Sequence, residues 1–213
     1  MYLLRDTVHE YATACAPITY AFSGVIIGVF LLEVWFVQTT SVGSIHVFAT
    51  GLFGINPALA WLLSPFLHQN VAHFAGNLVL FWMLGLAIER HWSKWRYIGF
   101  LIGVGYAATF LGAGFVALFS PKQIAFYGSS GMVFALAGFA LIHFLRPHIE
   151  IRKIEWLGVF IGILALAIVL IDPLTGPYLA PHWINAGHAA GFMLGLGLGR
   201  RYTGGECPAG QSS

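Results

Sequence analysis

Four side chains in this chain have the types and spacing for acyl-transfer chemistry: His73, Asn77, Ser130 and His188. A serine hydroxyl becomes a useful nucleophile when an adjacent base takes its proton, and a neutral imidazole suits that role near pH 7. The tetrahedral intermediate then needs donors aimed at its oxyanion. The Asn77 amide, the His73 ring N–H and the Ser130 backbone N–H are the available donors. His73 and Asn77 are four residues apart, so on a helix they share a face. Ser130 lies within Gly128-Ser129-Ser130-Gly131, where glycines on both sides let another backbone or a substrate come close.

The elements that must position these groups are membrane helices. The 213 residues are 58% hydrophobic and 8% charged. An ordinary soluble domain carries about 25% charged residues. A mean hydropathy of +0.80 agrees. A soluble globular enzyme, a nucleic-acid binder and a disordered chain are all excluded. A helix crossing a bilayer needs ~20 mostly apolar residues. Six such stretches occur, near 17–38, 71–92, 97–119, 127–146, 155–172 and 182–200. The expected fold is therefore all-α, a polytopic six-helix membrane domain over 17–200. Residues 1–16 form a short N-terminal segment and 201–213 a disordered tail. No cleaved signal peptide is expected, since the first span lacks a basic leader and a small-residue cleavage site. The 39–70 stretch is semi-apolar but broken by Gly51, Gly54 and Pro57, which favours a loop over a seventh span.

Lysines and arginines set the expected orientation. Arg5, Arg90, Lys94, Arg96, Arg146, Arg152, Lys153, Arg200 and Arg201 fall on one side of the six spans, and Lys122 alone on the other. Both termini are expected in the cytoplasm and the 39–70 loop outside. Orientation then sorts the polar residues by depth. His73 and Asn77 open span two, Ser130 opens span four, and His188 lies ~9 Å into span six at 1.5 Å per residue, all from the external face. Span six repeats glycine every fourth residue, at Gly187, Gly191, Gly195 and Gly199. Span four has Ala137 and Gly138 beneath Ser130. Two such smooth faces pack closely, which would bring Ser130 to His188.

Three stretches together resemble the rhomboid family of intramembrane serine proteases. They are His68-x4-His73-x3-Asn77 running on to Gly85 and Glu89, the Gly-Ser-Ser-Gly at 128–131, and Gly187-His188-x2-Gly191-x3-Gly195. Their order, spacing and spans agree over residues 68 to 199. The resemblance implies a Ser130–His188 dyad without an acidic third member and an oxyanion site from His73, Asn77 and the Ser130 N–H. It implies that Phe134 stacks on His188, and that Pro173 to Pro181 with the outer end of span five gates substrate entry. The substrates it implies are transmembrane proteins cut near the external face, in what is expected to be a prokaryotic cell membrane. Family members often carry a Trp-Arg pair in the loop after span one; here Trp61 is followed by Leu62.

The remaining residues have plainer readings. His68 is read as a support for His73, and Gly128, Gly131 and Gly191 as close-approach positions. Glu33 and Glu89 are read as buried partners locking helices, and Asp172 as a helix-end aspartate. Ser129 gets no role. Trp92, Trp95 and Tyr97 are read as an interfacial belt. The pairs His68-x4-His73 and His143-x4-His148 suggest a metal cluster, but they lie at opposite membrane faces, ~30 Å apart. No metal or other cofactor is expected, and Cys15 and Cys207 form no ligand pattern. The reading is a serine endopeptidase whose partners are transmembrane substrates and the bilayer. Its alternative is an inactive rhomboid-fold chaperone or adaptor, which would usually lack the serine or the histidine.

Overall fold

The computed structural model describes residues 16–39, 61–68, 70–119, 127–146, 149, 151–171 and 185–202. Most of the 39–70 loop, Cys15, Lys122, His148, Asp172, the Pro173 to Pro181 stretch and the tail beyond Tyr202 lie outside the described residues. Within them the secondary structure is all helical. Six long helices occur: α1 (Pro17–Thr39), α2 (Val71–Ile88), α3 (Lys94–Phe119), α4 (Ser130–Phe144), α5 (Lys153–Ile171) and α6 (Asn185–Arg201). They fall on the six expected stretches. α1, α3, α5 and α2 with its 3-10 extension to His91 are long and apolar enough to cross a membrane. α4 is shorter, at 15 residues.

Local sequence explains several of the helix ends. Asn70 caps α2, its side chain accepting from the His73 backbone N–H at 2.8 Å. Glu155, in the first turn of α5, accepts from the Arg152 N–H at 2.6 Å, one half of a capping box. The cap of α1 is supplied from elsewhere in the chain. The Glu89 carboxylate accepts from the backbone N–H groups of Ile18 at 2.9 Å and Thr19 at 2.7 Å, and from the Thr19 hydroxyl at 2.7 Å. A negative charge at a helix N-terminus satisfies donors that the helix itself cannot. Gly85, one turn before Glu89, lets Thr19 in: a Cβ there would stand 2.6 Å from the Thr19 methyl. Glu89 thus locks α1 to α2, as its sequence reading held.

α4 is the central helix. Nearly all its residues are buried, and it packs against α2, α3, α5 and α6. A helix apolar all round belongs inside a bundle. The outer helices carry exposed apolar side chains such as Leu31, Leu32, Trp35, Phe110 and Leu118. Apolar surface on this scale faces lipid.

Contacts at the chain reversals fix the helix directions. The start of α1 meets the end of α2 through Glu89. The start of α5 meets the same place, with Glu155 paired to Arg90 and to His91 at 2.8 Å. The ends of α4 and α6 meet where Arg146 donates to the carbonyls of Arg200 and Tyr202. Every described lysine and arginine is at this basic end. The starts of α2, α4 and α6, with the four candidate chemical groups, are at the opposite end.

The aromatic belt is corrected in two of its three members. Trp95 is 83% exposed, but Trp92 and Tyr97 are buried. α3 begins at Lys94, three residues before the expected start, so Tyr97 lies on its inner stripe with Leu101, Val104 and Ala108. Trp92 precedes the helix in extended backbone and turns inward to stack on Tyr202, ring centroids 4.1 Å apart.

Candidate active site

The site begins with a turn. Gly128 has φ +111°, a conformation that favours glycine, and its N–H donates to the Ser64 carbonyl at 2.7 Å. The His73 ring covers it: a Cβ on Gly128 would lie 3.2 Å from His73 Cε1. Ser129 follows, and Ser130 is the first residue of α4.

α6 delivers the histidine. Along the seam between α4 and α6 the backbones nearly touch. A Cβ on Gly191 would overlap the Gly131 carbonyl, one on Gly195 the Ala135 carbonyl, and one on Gly138 the Phe192 carbonyl. One on Gly199 would stand 3.1 Å from the Phe139 carbonyl oxygen. The glycine stripe and Gly138 therefore interlock, as their spacing led one to expect. His188, in the first turn of α6, is thereby set opposite the start of α4. Its Nε2 lies 3.0 Å from the Ser130 hydroxyl oxygen. Phe134 stacks flat on its ring. Gly131 also sits close to α3, where an added Cβ would be 2.8 Å from that of Ala108.

α2 supplies the other wall. Asn77, Phe81, Leu84 and Ile88 form its buried stripe, so Asn77 is the outermost residue of a core-facing row. Its Nδ2 is buried with no hydrogen-bond partner among the described residues. His73 is half-buried one turn above it.

His68 supports this wall from behind. Its backbone N–H donates to the Glu33 carboxylate at 3.0 Å, and its Nε2 is 3.1 Å from the Ser129 hydroxyl oxygen. Its ring edge meets the His73 ring, centroids 5.4 Å apart. Burial, with the neighbouring His73 ring second, pushes its pKa down to about 4. His68 is therefore neutral at pH 7, leaving one ring nitrogen to donate or accept with Ser129.

Sequence reasoning left Ser129 without a role, yet it anchors His68. The two serines of Gly-Ser-Ser-Gly turn to different histidines, Ser129 to His68 and Ser130 to His188. The motif register points Ser130 to His188, but spacing carries no signal for the pairing of Ser129 with His68. His143, of the His143-x4-His148 pair, is at the basic end against His91 and Phe139.

A rhomboid domain is matched over residues 56–203. The chain belongs to the rhomboid family. It is similar to rhomboid-type serine protease 2 of Emericella nidulans, 26% identical over 139 residues. It is also similar to the rhomboid protease GluP of Bacillus subtilis, 29% over 136 residues, and to the rhomboid protease GlpG of Serratia proteamaculans, 32% over 137. These stretches cover 65%, 63% and 64% of this chain but 26%, 24% and 45% of the three relatives. As a rhomboid with several long apolar helices, the chain is an integral multi-pass membrane protein. His68, His73, Asn77, Ser130 and His188 all fall inside the rhomboid match.

Proposed function

We propose that this rhomboid is an intramembrane serine endopeptidase in which Ser130 is the nucleophile and His188 the base. The observation that carries the proposal is the 3.0 Å contact between His188 Nε2 and the Ser130 hydroxyl. That separation is hydrogen-bond reach for proton abstraction.

The chemistry follows from these atoms. As Ser130 Oγ attacks the scissile carbonyl carbon, its proton passes to His188 Nε2. Negative charge collects on the former carbonyl oxygen, within reach of donors from Asn77 Nδ2, the His73 ring and the Ser130 N–H. His188 returns the proton to the leaving amine, and the C–N bond breaks to leave an acyl-serine. Water then attacks the ester, gives its proton to His188, and releases the new carboxyl terminus as Ser130 regains its hydrogen. Phe134 and the α4–α6 seam hold the imidazole in place throughout, and Glu33 with Ser129 holds His68 behind His73.

All six helices cross the membrane in this reading, with both termini cytoplasmic and the site near the external face. The gathering of lysine and arginine at the opposite end supports it. The substrates are transmembrane proteins cleaved near that face. The setting in this reading is a prokaryotic cell membrane; two of the three relatives are bacterial and one is fungal.

Treating the detergent-solubilised protein with a serine-reactive fluorophosphonate tests the dyad. Modification of Ser130, lost in His188→Ala, is expected, together with cleavage of a single-pass substrate. Absence of labelling and cleavage would leave the chain as a non-proteolytic rhomboid-fold client binder. Impermeant thiol reagents should reach a cysteine at position 122 in intact cells and not one at 153; the reverse would overturn the orientation.

A further inference from the structure

A groove of about 370 Å³ lies between α3 and α6 near the basic end, away from the serine and the histidines. Gly99, Gly103 and Ala107 form its α3 side and Leu194 and Leu198 its α6 side. A Cβ on Gly99 or Gly103 would meet nothing within 4 Å, so the groove is shaped by missing side chains rather than by tight packing. Arg96, one turn before Gly99 and two before Gly103, lines the end nearest the helix start. On α6, Arg201 continues the row of Leu194 and Leu198 at helical spacing. Arg96 thus lines the mouth itself, and Arg201, outside the lining, stands one helical turn beyond Leu198 on the same row.

Neither Arg96 nor Arg201 makes an ion pair or hydrogen bond among the described residues. The described acidic groups of this end are engaged elsewhere. Glu89 caps α1, and Glu155 is held by Arg90, His91 and the Arg152 N–H. An apolar furrow that runs into the membrane from two arginines with no acidic partner among the described residues has the charge and shape of one kind of molecule. We infer that this groove binds an anionic phospholipid, one acyl chain lying over Gly99 and Gly103 and the phosphate between Arg96 and Arg201. Arginine suits that phosphate because its planar donors match the oxygens. The volume is within the range of small-molecule sites.

The test uses the full chain in detergent and native mass spectrometry with added lipid. Phosphatidylglycerol should be retained and phosphatidylcholine with the same acyl chains should not. Glycerol phosphate should fail to compete, since it lacks the chain. Arg96→Gln should weaken phosphatidylglycerol binding about fivefold, the effect of one basic group at a membrane surface. Gly103→Leu should weaken it as well, by filling the furrow. Both positions are exposed, so the fold tolerates the changes. Equal retention of the two lipids, displacement by glycerol phosphate, or unchanged binding in Gly103→Leu would overturn the site.

Discussion

Phe134 and His188 lie face to face, ring centroids 4.3 Å apart and planes within 4° of parallel. The two residues come from different helices, α4 and α6. Phe134 is one helical turn beyond Ser130, so a single turn of α4 carries both the hydroxyl and the surface that holds the imidazole beside it. Truncating Phe134 leaves the hydroxyl in place but frees the ring to rotate. A stacked aromatic pair is worth about 0.5–1.5 kcal/mol. Phe134→Ala should therefore lower kcat by roughly tenfold with little change in KM, and Phe134→Tyr should restore most of it. Steady-state kinetics on a transmembrane substrate decide this; a change in KM alone would make Phe134 a substrate contact.

The paired serines should separate cleanly. Ser130→Ala should abolish cleavage and fluorophosphonate labelling while thermal stability holds. Ser129→Ala should keep labelling but lose stability, because it strips a partner from a histidine that is 1% exposed. Leaving such a buried polar atom unsatisfied costs about 1–3 kcal/mol. Labelling and thermal unfolding of both variants check the split, and cleavage by Ser130→Ala would sink the mechanism.

Asn77→Ala should reduce kcat by ~10²–10³, the usual effect of removing one oxyanion donor. Its Nδ2 has no partner among the described residues, so stability should not suffer from the loss of that atom. A variant that folds normally and turns over slowly is the expected result. One that changes only apparent substrate affinity would remove Asn77 from the oxyanion site.

Two glycines of α6 should answer oppositely to alanine. Gly195→Ala forces a methyl onto the Ala135 carbonyl and should part α4 from α6, with labelling and folding lost together. Gly197→Ala meets nothing within 4 Å and should leave stability within about 1 kcal/mol of the parent or slightly above it. Unfolding curves and labelling of the pair test whether the seam sets the Ser130–His188 distance.

His68 predicts an acid limb in stability. Its pKa is about 4 in the fold against 6.5 in the unfolded chain. Between those values the unfolded state binds the extra proton. The contribution is therefore fully present above about pH 6.5 and is lost progressively as pH falls through 4. The span corresponds to about 3 kcal/mol. The unfolding temperature should decline over this window, and less steeply in His68→Gln. Equal slopes for the two proteins would assign the acid limb to other groups.

Much of this arrangement is legible in the residues themselves. Hydropathy marks the stretches that become the six helices; four of them are long and apolar enough to cross a membrane, where a segment has to satisfy its own backbone and so is helical. The fourfold glycine repeat of α6 announces a close helix seam, because a missing Cβ at every turn leaves one smooth face. The meeting of Ser130 with His188 follows from that seam and from the motif spacing. What periodicity does not encode is how a helix is rotated about its axis and what occupies its ends. Ser129 and Ser130 are neighbours of identical type, and their division between His68 and His188 depends on the turn at Gly128. The Ser64 carbonyl, more than sixty residues away, pins that turn. Trp92 and Tyr97 read as interfacial from composition, yet the start of α3 at Lys94 and the stacking of Tyr202 draw them inside. The N-terminus of α1 is capped by Glu89 through contacts seventy residues apart. Local sequence sets which face of a helix is smooth or apolar; only packing against distant segments sets which neighbour that face meets and where each polar atom points.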